Sequence, residues 1–215
     1  MSEKESTAAP VTNGVVDLSH FNKTVDFKAA KQDGILGVIH KATQGTGFID
    51  PLYHSRREEA LKAGLLWGAY HFGSGGNGEN QAKFFLGIVN PAPTDLLILD
   101  FEQDFQGDSM TVPEAEAFVS YVQKQTNRWP GLYGGSYLKK LSAGKSEILS
   151  KCWLWLAEYG SHPVLPAGWD AWTLWQHTDG KNGPQPHSVK GIGACDRDKF
   201  NGDSDALKKH WHQGS

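Results

Sequence analysis

Between positions 14 and 149 the chain alternates, five times over, between a short apolar run and a stretch of helical spacing. This order restricts the fold more than any composition value does. The apolar runs are 14–19, 37–42, 66–72, 96–102 and 130–134, and the helical stretches are 25–32, 50–64, 79–89, a segment opening at Thr111, and 136–149. Local chemistry supports the boundaries. Asp33-Gly34 is a helix stop, Pro51 suits a first helical position, and Thr111 with Glu114 reads as a capping box. Alternating strands and helices imply a parallel sheet with right-handed crossovers. After position 149 the pattern changes: 152–157, 171–177 and 191–196 read as three strands joined by loops, and 205–211 as a closing helix. Eight strands can close into a barrel filled by its own side chains. With three of its helices missing, such a barrel is irregular. Residues 1–13 read as a disordered polar leader and 14–212 as one barrel domain.

Chemistry concentrates in the run 96–102, Leu-Leu-Ile-Leu-Asp-Phe-Glu. Four apolar residues lead into Asp100 and Glu102, which alternation along a strand points the same way. Their Cα atoms are then roughly 6.5–7 Å apart. An unpaired buried charge costs several kcal/mol, so two acids at the end of a buried strand have a use or a partner. At the C-terminal end of a barrel strand that use is catalysis; the alternative is a rim acid paired with a lysine or arginine. Other strands end in polar residues as well: Asp17, Lys41, Tyr70 and His71, Tyr133, Tyr159, Gln176 and His177, and Asp196. In a parallel barrel these ends share one face. Asp17, Asp100, Glu102 and Asp196 then form an acidic pocket ringed by aromatics. Such a pocket suits glycoside hydrolysis, which needs a carboxylic acid for the leaving oxygen and negative charge opposite an oxocarbenium-like transition state.

Composition narrows the alternatives. A net charge of −3 gives no reason to expect nucleic acid or an anionic membrane as partner. Eight tryptophans suit the stacking of sugar rings, and equally an ordinary core. Cys152 and Cys195 are too few for a disulfide framework and read as reduced, buried thiols, with a single bridge as the alternative. No apolar run approaches a membrane span, and the first residues lack a secretory signal's apolar stretch. The nine histidines show no metalloprotease spacing, so neither a metal nor another cofactor is expected. His71 reads as a hydrogen-bonded structural histidine.

Seven ordered motifs add a resemblance: Val16-Asp17-Leu18-Ser19-His20-Phe21, Lys41-Ala42-Thr43-Gln44-Gly45, Gly68-Ala69-Tyr70-His71-Phe72, Leu99-Asp100-Phe101-Glu102, Trp155-Leu156-Ala157-Glu158-Tyr159, Trp175-Gln176 and Asp196-Arg197-Asp198-Lys199-Phe200. From position 15 to about 200 the chain resembles the family 25 glycoside hydrolases, the Chalaropsis-type lysozymes. The resemblance implies an α/β fold, an irregular flattened (β/α)5(β)3 TIM-like barrel, over a single catalytic domain. It implies an N-acetylmuramidase cutting the β-1,4 bond from N-acetylmuramic acid to N-acetylglucosamine. Glu102 falls on the proton donor, Asp100 on the second catalytic carboxylate, and Asp17 and Asp196 on supporting acids. Tyr70, Tyr133, Tyr159, Trp175, Gln176 and Lys41 are the expected substrate-binding residues. Two positions depart from the family pattern: Gln44 where Glu is common, and Asp198 where Asn is frequent, which reads as a more acidic loop.

The expected partner is the glycan strand of peptidoglycan, met by a monomer with no nucleic acid or membrane involved. The place of action is the bacterial wall, reached through a holin, a secretion machine or another non-classical route. A chitinase-like barrel hydrolase and a non-catalytic glycan-binding protein are the competing readings.

Overall fold

The computed structural model describes residues 10–141 and 145–213. Residues 1–9 of the expected leader, and the middle of the expected helix 136–149, lie outside the described residues. The strands are β1 (Thr12–Leu18), β2 (Gly37–Gln44), β3 (Phe48–Ile49), β4 (Leu66–Phe72), β5 (Leu96–Asp100), β6 (Gly131–Gly134), β7 (Trp153–Ala157), β8 (Leu174–Thr178), β9 (Ser188–Val189), β10 (Gly193–Ala194) and β11 (Asp196–Phe200). The helices are α1 (Phe27–Gln32), α2 (Tyr53–Lys62), α3 (Gly78–Val89), α4 (Val112–Thr126), α5 (Ser136–Lys140) and α6 (Ser204–Gln213).

The main sheet runs β1-β11-β8-β7-β6-β5-β4-β2, and β1 pairs with β2 to close an eight-stranded barrel, with β3 added at the edge of β2. Neighbouring strands from β1 through β2 and β4 to β8 pair in parallel. The eighth barrel strand is a correction to the sequence reading. Positions 191–194 do not enter the barrel; β10 pairs with β9 in a small hairpin of its own. The barrel strand is β11, and it is antiparallel to both β1 and β8. Asp196 therefore opens its strand instead of ending it. Reversal of direction still brings it to the mouth, opposite Asp17.

Side-chain alternation sorts each strand into two cores. Val16, Val38, Ala69, Leu97, Leu99, Leu132, Leu154 and Leu156 face outward, against Ala30, Tyr53, Phe85, Phe118 and Val122 of the helices. Val15, Ile39, Leu96, Ile98, Tyr133, Trp155, Leu174 and Phe200 face the lumen. The bottom of the lumen is plugged by Leu207 and Trp211 of α6. The Trp211 indole donates from Nε1 to the Trp67 carbonyl at 2.8 Å. Gly37 makes this fit possible, because a Cβ there would stand 3.0 Å from the Trp211 ring.

Helix starts follow side-chain chemistry. Asp26 Oδ1 accepts from the backbone N–H groups of Lys28 and Ala29, and Asn77 Oδ1 from that of Asn80. Glu114 Oε2 accepts from both the backbone N and the Oγ1 of Thr111, the expected capping box. Helix α2 starts later than Pro51 suggests. Asp50 Oδ1 accepts from Leu52 N–H, so Asp50-Pro51 forms a turn ahead of the helix. Cys152 and Cys195 are free and buried. No described helix is long and apolar enough to cross a membrane.

Candidate active site

At the barrel mouth the inward positions change from apolar to acidic. A pocket of about 230 Å³ is lined by Asp17, Tyr70, Asp100, Glu102, Tyr133, Tyr159, Gln176 and Asp196, with Ser19, Phe21 and Trp155 beside them. The supplying elements are distinct: Asp17 comes from β1, Tyr70 from β4, Asp100 from β5, Tyr133 from β6, Gln176 from β8 and Asp196 from β11. Strand β5 ends at Asp100, so Glu102 stands on the loop beyond it and is half-buried. Alternation carried on past the strand end still turns both carboxyls into the pocket.

Gln176 organises one wall. Its Oε1 accepts from the hydroxyls of Tyr133 at 2.8 Å and Tyr159 at 2.7 Å. Its Nε2 donates to Asp17 Oδ2 at 2.8 Å. The amide is thus fixed in one orientation, oxygen toward the phenols and nitrogen toward the acid. Asp100 Oδ1 is buried with no hydrogen-bond partner among the described residues. An orphaned carboxylate oxygen is costly in a folded protein, and a ligand donor reaching it would remove that cost.

Electrostatics in the pocket favour protonated acids. Burial raises Glu102 above the ordinary carboxylate range. Burial and then the Glu102 charge push Asp100 well up, with the Lys41 ammonium acting in the opposite direction. Burial first, then Asp196 and Asp198, raise Asp17 in the same way. Asp196 is pushed up to about 6, mainly by burial. Acids this close exchange protons as a set.

A groove of about 700 Å³ continues from Glu102 and Phe21, past Lys41, Gln44, Phe48, Phe72 and Asp104. Lys41 points here, not into the acid pocket. Its Nζ donates to Gln44 Oε1 at 2.7 Å and stands 4.9 Å from the centre of the Phe72 ring. The rim carries Phe21, 77 % exposed, and Phe105, 87 % exposed. His71 is structural, bonded through Nδ1 to Thr43 Oγ1 and through Nε2 to Gln81 Oε1. Another hollow of about 700 Å³, between α3 and α4 beside Lys83, Tyr121 and Arg128, is lined by no carboxylate. Among the described residues no cluster of metal-ligating side chains occurs.

Most expected site residues meet in these two connected spaces; Trp175 does not. It neighbours Gln176 on β8, and consecutive strand residues face opposite ways. Gln176 faces the lumen, so Trp175 faces outward. Its Nε1 donates to the Glu158 carbonyl at 2.6 Å, and Lys199 Nζ lies 4.6 Å from its ring centre. Asp198 needs correction too. It lies in β11, not in a loop, and is fully buried with Oδ1 accepting from Trp155 Nε1 at 2.6 Å. Sequence reasoning passed over Ser19, Phe21 and Trp155. Phe21 and Ser19 belong to the segment just after the Asp17 strand, and Trp155 lies one alternation step from Ala157, so period two was the available signal.

Comparison with known proteins agrees with this geometry. An N,O-diacetylmuramidase from Chalaropsis sp. is 28 % identical over 76 % of this chain and 86 % of its own length. The structure of a family GH25 lysozyme from Aspergillus fumigatus superposes with a TM-score of 0.79 at 34 % identity, covering 93 % of this chain and 98 % of that one. A bacterial lysozyme from Streptomyces coelicolor superposes with a TM-score of 0.83 at 25 % identity, covering 98 % of this chain and 100 % of that one. The profile of the Glycosyl hydrolases family 25 matches residues 16–185. A match of that extent, on a closed barrel with acids gathered at its mouth, means that this glycoside hydrolase belongs to glycosyl hydrolase family 25.

Proposed function

We propose that the protein is an N-acetylmuramidase that hydrolyses the β-1,4 bond between N-acetylmuramic acid and N-acetylglucosamine in peptidoglycan. The observation that carries the reading is the single pocket holding Asp17, Asp100, Glu102 and Asp196 at one barrel mouth. The similar proteins named as lysozymes and a muramidase support the choice of substrate. The pocket is complete within one chain, so the enzyme works as a monomer on glycan strands, and its place of action is the bacterial wall.

Glu102 is the general acid and then the general base. It borders both the pocket and the groove, where a leaving sugar has room. Burial keeps it protonated to higher pH than a free glutamate, as donation to the leaving oxygen requires. Asp100 and Glu102 line one pocket from positions two residues apart, which supports a retaining arrangement over a separated inverting pair with a water between its acids. Asp100 instead accepts the N–H of the muramic acid 2-acetamido group from its place in the pocket wall. That contact steers the acetamido carbonyl oxygen onto C1 as Glu102 protonates the glycosidic oxygen. The C1–O bond breaks, and an oxazoline-type intermediate forms. Water then gives its proton to Glu102 and opens the intermediate from the opposite face. Two inversions leave net retention. Tyr70, Tyr133, Tyr159 and Gln176 shape the sugar site, and Lys41 and Gln44 lie along the groove.

Purified sacculi digested with the enzyme test the reading through their new reducing ends. Muramic acid ends are expected; glucosamine ends, turnover of chitin alone, or binding without turnover would each refute it. In the first minutes, NMR of the product is expected to show the β-anomer, and an initial α-anomer would overturn the retaining route.

A further inference from the structure

Asp198 is a buried carboxyl that the mechanism above does not use. Its Oδ1 accepts from Trp155 Nε1, while its Oδ2 is buried and has no donor among the described residues. The Asp17 carboxyl lies within hydrogen-bonding reach of it. Strand register explains the approach. Asp198 stands beside Val15 on β1 and beside Gln176 on β8, and Asp17 stands beside Asp196. Inward-facing Asp17 and Asp198 are therefore diagonal neighbours across the β1–β11 pair. Gln176 donates to Asp17 from the other side.

Two ionised carboxylates in contact repel, and neither oxygen can donate to the other. Among the described residues no lysine or arginine forms an ion pair with either of them. Arg197 is the nearest on that strand, and it donates outward to the Ser188 carbonyl at 2.6 Å and to Asn13 Oδ1 at 3.3 Å. The other titratable groups facing the pair are acids or neutral phenols, none of them a cation: Asp196 on β11, Asp100 on β5 and Glu102 just beyond it, Tyr70 on β4, Tyr133 on β6, and Tyr159 beyond β7. One shared proton resolves the arrangement. It removes a charge and gives the orphaned Oδ2 a short, charge-assisted bond. Burial acts on both carboxyls in the same sense.

We propose that Asp17 and Asp198 form a proton-sharing carboxyl pair beneath the acid pocket, and that Asp198 is a positioning residue holding Asp17 against Gln176. Side chains from five strands then make one chain of bonds: Trp155 to Asp198, Asp198 with Asp17, Gln176 to Asp17, and Tyr133 to Gln176. The pairing is independent of substrate. Its consequence for turnover rests on the muramidase reading.

Asp198→Asn tests the pair, because its amide oxygen can accept from Trp155 while its N–H donates to Asp17 without any shared proton. A proton retained in the fold above the ordinary carboxylate range stabilises below that range and ceases to as pH rises through the folded pair's value. Wild-type Tm should therefore fall more steeply between pH 4 and 8 than that of D198N. The gap should reach about 5 °C at the upper end. Parallel curves would overturn the pair. Should D198N fail to fold, Asp17→Asn carries the same stability test, with the new amide donating to Asp198. Positioning is read from turnover: Asp198→Leu is expected to lower kcat about tenfold at little changed KM, and D198N to recover most of it. Equal losses in Leu and Asn variants would refute the positioning role. A wild type inactive on sacculi would overturn the muramidase reading and leave the Tm comparison able to decide the pair.

Discussion

Glu102→Gln isolates proton donation from everything else the pocket does. The amide matches the carboxyl in shape and hydrogen-bonding reach, and it cannot give up a proton to the leaving oxygen. Glu102 is half-buried at the junction of the 230 Å³ pocket and the 700 Å³ groove, so Gln fills the same space without strain. Asp17, Asp100 and Asp196 stay in place, so the negative charge that the set carries still opposes positive charge at C1. Loss of general acid catalysis alone costs about 10²–10⁴ in rate, or roughly 3–5 kcal/mol of barrier. A kcat reduced by that factor is expected on soluble glycan fragments, with KM near wild type. Wild-type activity should also decline on the alkaline side as Glu102 ionises, since burial raises but does not abolish its titration. The stability sign is opposite to the activity sign. A carboxyl with a raised folded pKa destabilises the fold once pH passes that value, so E102Q should melt at or above the wild-type temperature at pH 7. Initial rates on sacculi, a substrate with an activated aryl leaving group and a thermal melt complete the test. The aryl substrate needs no acid, so it should narrow the gap between the two enzymes. Digestion of sacculi by E102Q within a few-fold of wild type would refute the assignment and direct attention to Asp17 or Asp196.

Gln176→Leu removes the acceptor for two tyrosine hydroxyls and the donor to Asp17. It should cost about 2–4 kcal/mol of stability by denaturant titration and lower kcat, and an unchanged unfolding midpoint would contradict the network. Trp211→Ala empties the barrel bottom and leaves the Trp67 carbonyl without its indole donor. About 3–5 kcal/mol should be lost, with kcat/KM of the surviving folded fraction little changed, because the plug lies at the end opposite the acids.

The residues show what was legible from sequence and why. Strand β4 was read with its observed bounds, since apolar character and flanking glycine turns coincide there. The meeting of Asp100 and Glu102 in one pocket was legible because alternation turns residues two apart toward the same side. The last strand was misplaced because two signals competed. The run 191–195 is the more apolar stretch, but its glycines give it to a surface hairpin, whereas β11 contains two aspartates, an arginine and a lysine. A strand at a barrel mouth can carry that charge: Asp198 bonds to Trp155 within the lumen, Asp196 lines the pocket, and Arg197 and Lys199 lie on the outer side. Sequence polarity alone looks like a loop. Trp175 entered the expected sugar site with the Trp175-Gln176 motif of the family resemblance, although alternation excludes both residues from one face. The short β3 strand went unread because its two residues pair only with the end of β2, a tertiary contact with no local period.

The same alternation that builds the barrel also divides it along its axis. Lower inward positions carry Ile39, Ile98, Leu174 and Phe200 and are sealed by Trp211. One further step along the strands brings Lys41, Asp100, Gln176 and Asp198, and the mouth beyond holds Asp17, Asp196 and Glu102. Apolar filling below excludes water from beneath the acids, and that exclusion raises every one of them. Burial is thus the largest shared cause of the rise at Asp17, Asp100, Glu102 and Asp196, while Trp211 closes the far end of the lumen. The antiparallel β11 completes it. Only by reversing direction does the chain's final strand enter at the mouth, placing Asp196 beside Asp17 at its first residue and Asp198 beneath them two residues later. A parallel strand of the same sequence would begin at the barrel bottom, and Asp196 would then lie among the apolar layer with no partner.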